Sequence, residues 1–188
     1  MQGYFAVITM ILLLGSVITR VMMLRRRGIT AMKFGSIDKT DFVIPPFAFL
    51  YFYLIVAHAF NLPTISRQEF FHSEGVSWFG VFLCLAGWVF LLWSLISFGR
   101  SFRVGIDTET PDKLITTGIF SLSRNPIYVG FAFFLLGQFL VFPNWILLLV
   151  IAAGFWLFNR QVLREEDYLK QHYGQEYADY CARVRRYL

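Results

Sequence analysis

Apolar and polar positions fall along this chain in long blocks. Gly3–Thr19 carries no charge and is followed by Arg20 and then Arg25-Arg26-Arg27. Phe42–Phe60 is uncharged apart from the titratable His58 and opens on Pro45-Pro46, which a first helical turn tolerates. Val76–Phe98 is 23 residues without a charge. A transmembrane helix needs about 20 mostly apolar residues, so each of these blocks predicts one span. Pro126–Asn159 is uncharged for 34 residues, too long for one helix, and Pro143-Asn144 sits near its middle. It predicts two short helices, about Ile127–Phe142 and Trp145–Phe158, joined by a tight turn. Beyond them Leu169, Tyr173, Tyr177, Tyr180 and Val184 recur at spacings of three and four. That pattern predicts an amphipathic helix, with Gly174 as a possible break.

Composition agrees with this reading. The chain is 57% apolar, 19% aromatic and 15% charged, with 22 Phe among 188 residues. A soluble domain is nearer 45–50% apolar and about a quarter charged. Disorder, a collagen-like repeat and a disulfide scaffold are excluded, and the two cysteines, Cys84 and Cys181, form no framework. A net charge of +5 could point to nucleic acid, but the basic residues follow topology instead. Six lie between Arg20 and Asp41, one in Asn61–Gly75, four in Gly99–Asn125 and six from Arg160 onward. Sixteen of seventeen thus share one side of a five-span arrangement, which places the N-terminus outside and the tail in the cytoplasm. The first span is expected to be retained: no basic segment precedes it and no A-x-A site follows. The predicted fold is an all-α integral membrane protein with five transmembrane helices and a cytoplasmic C-terminal amphipathic helix, and the predicted partner is the membrane, not nucleic acid.

Common soluble fingerprints are missing. No two glycines stand two apart, and there is no P-loop or G-x-S-x-G turn. His58, His72 and His172 are scattered, so no metal site is expected. Two polar clusters remain. The first runs from Leu114 through Arg124-Asn125-Pro126 to Tyr128 and Gly130. Pro126 can open a helix with Asn125 at its N-cap, and the amides of a helix start favour an anion. Gly130 would let a ligand or another helix approach the backbone. The plainer reading is a capped helix with Arg124 at the headgroups. The second cluster is Arg164-Glu165-Glu166-Asp167. It reads either as a solvated turn of a helix lying on the membrane or as carboxylates that bind the hydroxyl or cationic groups of a cofactor.

In this order the two clusters resemble the isoprenylcysteine carboxyl methyltransferase family, whose motifs are related to those of phospholipid N-methyltransferases. The family's first motif is approximately L-V-x-x-G-x-Y-x-x-x-R-H-P-x-Y-x-G. Here Leu114-Ile115, Gly118, Phe120, Arg124-Asn125-Pro126, Tyr128 and Gly130 follow it. The second is approximately E-E-x-x-L-x-x-x-[FY]-G-x-E-Y-x-x-Y with a basic residue beyond. Glu165-Glu166, Leu169, Tyr173-Gly174, Glu176-Tyr177, Tyr180 and Arg186 follow that one. Asn125 stands where the family usually has His, as in the phospholipid branch, and Phe120 where it usually has Tyr.

The resemblance implies a single membrane domain, residues 1–188. Three spans in 1–98 would precede a cofactor-binding catalytic half in 99–188. It implies S-adenosylmethionine as methyl donor and S-adenosylhomocysteine as product, with no metal. Lys113, Leu114, Ile115, Phe120, Asn125, Pro126, Tyr128 and Gly130 would line the cofactor pocket. Glu165 and Glu166 would hold its polar groups, and the C-terminal helix would close over it. Arg160 and Arg164 would steer an anionic acceptor, and a glutamate such as Glu165 could serve as base for an amine. The implied acceptor is lipid-like, first the carboxylate of a prenylated cysteine. The alternatives are a phospholipid amine, an NADPH-dependent reduction of the sterol-reductase type, and a non-enzymatic scaffold.

Overall fold

The computed structural model describes residues 1–28, 44–64, 69–99 and 114–188. Every regular element among them is helical. They are α1 (Gln2–Arg26), α2 (Ile44–Ala59), α3 (Glu74–Phe98), a 3-10 turn (Gly118–Ser121), α4 (Pro126–Val141), α5 (Trp145–Tyr173) and α6 (Gln175–Arg183). Three of them, α1, α3 and α5, are long and apolar enough to cross a membrane. Both α2 and α4, at 16 residues, are shorter than the usual span.

The expected breaks hold, and two boundaries move. Asn144 separates α4 from α5 by accepting from the amides of Ile146 and Leu147, at 3.1 and 3.0 Å, through its side-chain oxygen. The expected end of the last span at Phe158 is overrun, because α5 continues without interruption to Tyr173. No proline or glycine interrupts 155–173, so the change from apolar to charged residues alters what the helix faces and not whether it forms. Similarly α1 passes its expected end at Thr19 and carries Arg20–Arg26 as its last turns. The Arg20 guanidinium donates to the Gly99 carbonyl at the end of α3.

The tightest seam in the bundle joins α3 to α4. A Cβ on Gly87 would lie 2.5 Å from the Gly130 carbonyl oxygen, and one on Gly137 would lie 2.5 Å from that of Gly80. Both pairs, Gly80/Gly87 and Gly130/Gly137, are spaced by seven residues, so two antiparallel helices meet backbone to backbone at two levels. Lipid tails are as apolar as the side chains, so close packing rather than hydrophobic burial holds such helices together. α1 joins them through Gln138, which is fully buried and donates to the Ala6 carbonyl at 2.8 Å. At the end carrying Met1, Phe70 donates its amide to the Pro143 carbonyl at 2.7 Å and meets the Trp145 ring edge-on. Asn144 there also donates to His58 Nε2, tying α5 to α2. The opposite end holds the start of α4, the polar half of α5, and α6.

Placing a methyl in that seam forces the two backbones apart. Gly137→Ala is expected to cost about 1–3 kcal/mol, the range for overpacking, read as an earlier thermal unfolding in detergent. Gly15→Ala is the control, since nothing lies within 4 Å of its would-be Cβ.

Candidate active site

The start of α4, the polar half of α5 and the chain's end converge on one carboxylate. Glu166 is 9% exposed. Its Oε1 accepts from Arg124 Nε at 3.2 Å and from Asn125 Nδ2 at 3.0 Å, with Arg124 Nη2 at 3.1 Å. Its Oε2 pairs with Arg186, whose Nε and Nη2 both stand at 2.9 Å. A buried carboxylate persists only when paired and hydrogen-bonded, and here both oxygens are so engaged. Asn125 occupies the N-cap position of α4 but makes no capping bond. Its amide nitrogen spends both hydrogens elsewhere, on Glu166 and on the Arg186 carbonyl at 3.2 Å.

The same residues stitch the chain's end to the segment before α4. Arg124 donates through Nη1 to the carbonyls of Cys181 and Val184, and through its amide to that of Arg185. Ser123 donates its hydroxyl to the Arg186 carbonyl and accepts from the Asn125 amide. Gly174, at φ +52°, makes the turn that sends α6 back over α5. The aromatic stripe then faces protein: Tyr177 and Tyr180 are buried, and Tyr180 donates to the Phe120 carbonyl at 2.6 Å. The stripe's reading as a helix lying on lipid is thereby replaced by a helix docked on the protein. Burial pushes the Tyr180 hydroxyl up to about 12, only partly offset by Arg124.

A second carboxylate lies one residue earlier. Glu165 Oε1 accepts from the Tyr128 hydroxyl at 2.9 Å and from Gln161 Nε2 at 3.2 Å. Phe158 packs against Tyr128 and stacks on Phe131, so aromatic rings line the α4–α5 seam beneath. Arg160 lies over the Trp156 ring, 5.8 Å from its centre, on a more exposed face of α5, and Arg164 follows one turn later. Phe120 is buried in the 3-10 turn and meets Phe98 edge-on. Leu114 and Ile115 lead into that turn, and Pro126 opens α4. Gly130 lies in the α3–α4 seam against Gly87, so its observed neighbour is a helix. Lys113 lies outside the described residues. Among the described residues no group of three or more His, Cys, Asp or Glu could hold a metal.

Structure therefore brings Asn125, Tyr128, Glu165 and Glu166 together, with Phe120, Pro126, Leu114 and Ile115 on the adjoining segment. It also adds residues that sequence reasoning passed over as site members: Arg124, Ser123, Gln161, Tyr177 and Arg186. Arg124 and Arg186 were visible as motif positions. Their meeting on one carboxylate was not, because it joins residues 42 and 20 positions from Glu166.

Residues 76–176 match the family model described as Phospholipid methyltransferase. Over 112 residues the chain is 33% identical to protein-S-isoprenylcysteine O-methyltransferase B of Arabidopsis thaliana, covering 58% of this chain and 57% of the relative. A probable protein-S-isoprenylcysteine O-methyltransferase of Oryza sativa subsp. indica is 31% identical over 112 residues, 58% of this chain and 59% of its own. The protein-S-isoprenylcysteine O-methyltransferase of Rattus norvegicus is 29% identical over 128 residues, 66% of this chain and 45% of its own. The chain spans about half the length of the curated relatives it matches. The resemblance read from the two motifs is borne out.

Removing the central carboxylate leaves two guanidiniums facing each other. Glu166→Ala is expected to lose about 3 kcal/mol or more, as buried pairs do when one partner goes, with faster tryptic cleavage after Arg183 and Arg185. Tail docking should also depend on pH. An unfolded tyrosine ionises near 10, whereas folded Tyr180 holds its proton to about 12. Stability is thus complete below pH 10 and lost as pH rises through about 12. Tyrosinate absorbance followed alongside proteolysis checks this, and Tyr180→Phe should weaken that step while leaving the part due to Tyr177, which burial raises as well.

Proposed function

The chain belongs to the phospholipid methyltransferase family, and from that premise we propose that it is a multi-pass membrane enzyme. It moves a methyl group from S-adenosylmethionine to a lipid-like acceptor, first the carboxylate of a prenylated cysteine. In this reading all five helices α1–α5 cross the bilayer, residues 1–188 form one domain, and the site opens to the cytoplasm. The observation that carries it is the convergence on Glu166 of two motifs some forty residues apart, in a chain similar to proteins named for this reaction.

The residues present fit the donor. The start of α4 has no side-chain cap, so the amides of its first turn have capacity for a ligand. Leu114, Ile115, Phe120, Asn125, Pro126, Tyr128, Gly130, Glu165 and Glu166, with Lys113, are the proposed contacts. When bound, the donor would supply a methyl group on a sulfonium, whose departing thioether is neutral.

A carboxylate acceptor is already an anion at neutral pH, so no general base is needed. What the chain must contribute is alignment and exclusion of water. Glu166 acts in this reading as a positioning residue, fixing Asn125 and holding α6 down over the site. Arg160 and Arg164 face the approach of an anionic headgroup from the membrane edge, and the acceptor's tail enters between helices along the Phe131–Phe158 wall. A second reading, methylation of a phospholipid amine, is favoured by one observation. Glu165, steadied by Tyr128 and Gln161, is a carboxylate that could take the proton an amine must lose.

Labelled methyl transfer tests both. The purified protein is expected to bind S-adenosylhomocysteine and not NADPH, and to place label in a prenylcysteine analogue as a base-labile ester. Label found only in phosphatidylethanolamine would favour the amine. Label in neither, with no donor binding, would overturn the proposal.

A further inference from the structure

Two buried side-chain amides belong to α4, Asn125 at its N-cap position and Gln138 in its body. The oxygens of both lack a partner among the described residues, but their surroundings differ. Gln138 is 0% exposed, and its Oε1 is sealed inside the bundle. Asn125 is 8% exposed, and its Oδ1 is not among the sealed atoms. Both hydrogen bonds of the Asn125 side chain leave from Nδ2, to Glu166 Oε1 at 3.0 Å and to the Arg186 carbonyl at 3.2 Å. Each of those partners only accepts: Glu166 is an ion-paired carboxylate, and the other is a backbone oxygen. The amide therefore cannot turn over without setting oxygen against oxygen. Its two hydrogens are spent, and the planar amide turns Oδ1 away from Glu166.

That leftover atom says what it can meet. An amide oxygen accepts and never donates, so its match is a group carrying N–H or O–H. The oxygens of an ionised carboxylate or a phosphodiester carry no proton and are refused. In the unliganded chain water can serve Oδ1. Once a bound molecule excludes that water, an unmatched oxygen becomes costly. A histidine, the residue usual at this place in the resembling family, can offer the same pair of functions. One ring nitrogen would donate to Glu166 and the other would remain an acceptor.

We propose that Asn125 reads the ligand through Oδ1, accepting a hydrogen bond from an N–H or O–H group, while its Nδ2 is committed to Glu166 and the chain's end. This rests on the methyl-transfer reading, which offers two sources of that chemistry: the amino or hydroxyl groups of the methyl donor, or the amine of a phospholipid acceptor. The carboxylate of a prenylcysteine has no such hydrogen, so Asn125 is not the residue that recognises it.

The test is calorimetric titration of the full chain and its Asn125→His variant with S-adenosylhomocysteine, from about pH 8 to about pH 5, across the imidazole range. Thermal unfolding is measured in parallel. At the upper end the neutral ring supplies one donor and one acceptor, so the variant should bind as the parent does. As pH falls the second ring nitrogen takes up a proton, Glu166 gains a cation beside Arg124 and Arg186, and the acceptor disappears. Affinity should then drop about five- to tenfold relative to the parent at the same pH, while the melting temperature holds or rises relative to it. Asn125→Ala, which removes the oxygen outright, should be weaker by a similar factor at every pH. If the acceptor is the source, S-adenosylhomocysteine binding stays level and the KM for phosphatidylethanolamine rises by that factor instead.

The proposal is overturned if Asn125→His follows the parent in affinity and KM across the range, or if its affinity and melting temperature fall together. It is also overturned if Asn125→Ala matches the parent in both affinity and KM. A parent that binds no S-adenosylhomocysteine and transfers no label overturns the methyl-transfer reading, and this inference with it.

Discussion

The charged end of this molecule is organised around a single negative charge. Glu166 is presented by α5, and the groups that neutralise it come from the start of α4 and from the chain's last turn. A buried carboxylate held by two guanidiniums and an amide is costly to desolvate and costlier to disrupt. Its effect is to make three elements move as one. If α6 lifted, Arg186 would leave, and Arg124 would lose both Cys181 and Val184. Placement of Tyr128 and of Glu165, the residue next to Glu166, depends on the same contact between α4 and α5.

That cluster can form only because the bundle delivers the start of α4 to the right level. The delivery comes from the α3–α4 seam, where four glycines let two backbones touch at two heights. Within a bilayer no hydrophobic force favours helix contact over lipid contact, so shape has to fix the register. Gln138 adds a polar tie from α4 to α1 in the apolar interior. Apolar geometry sets position, and the scarce charges, gathered at one end, read that position out.

Much of this was legible in the chain. Uncharged blocks marked the helices, and Pro143-Asn144 marked the turn, because both signals are local. The length of α5 was harder: its polarity changes midway while its helical propensity does not, and hydropathy sees only the first. The stripe Tyr177–Tyr180 was visible as an apolar face, but its partner, the Phe120 carbonyl segment, was not, since periodicity reports a buried side without saying what buries it. Asn125 was readable as a helix opener. Its side chain instead serves Glu166, a preference set by a residue 41 positions away. The seven-residue spacing of Gly80/Gly87 and Gly130/Gly137 was a signal present in the letters, and it is the one that most directly encodes the seam.

The unbroken α5 has a further consequence. Its 29 residues span about 43 Å, against a hydrocarbon thickness of roughly 30 Å. Glu166 lies 21 residues along it, about 32 Å from the Trp145 end. In the proposed membrane arrangement the helix would act as a ruler: with its aromatic start at one surface, it would set the carboxylates at the height of the opposite headgroups. Substrates would then be sorted by depth before they are sorted by chemistry, because only a group that floats at that level can meet the site without lifting its tail out of the oil.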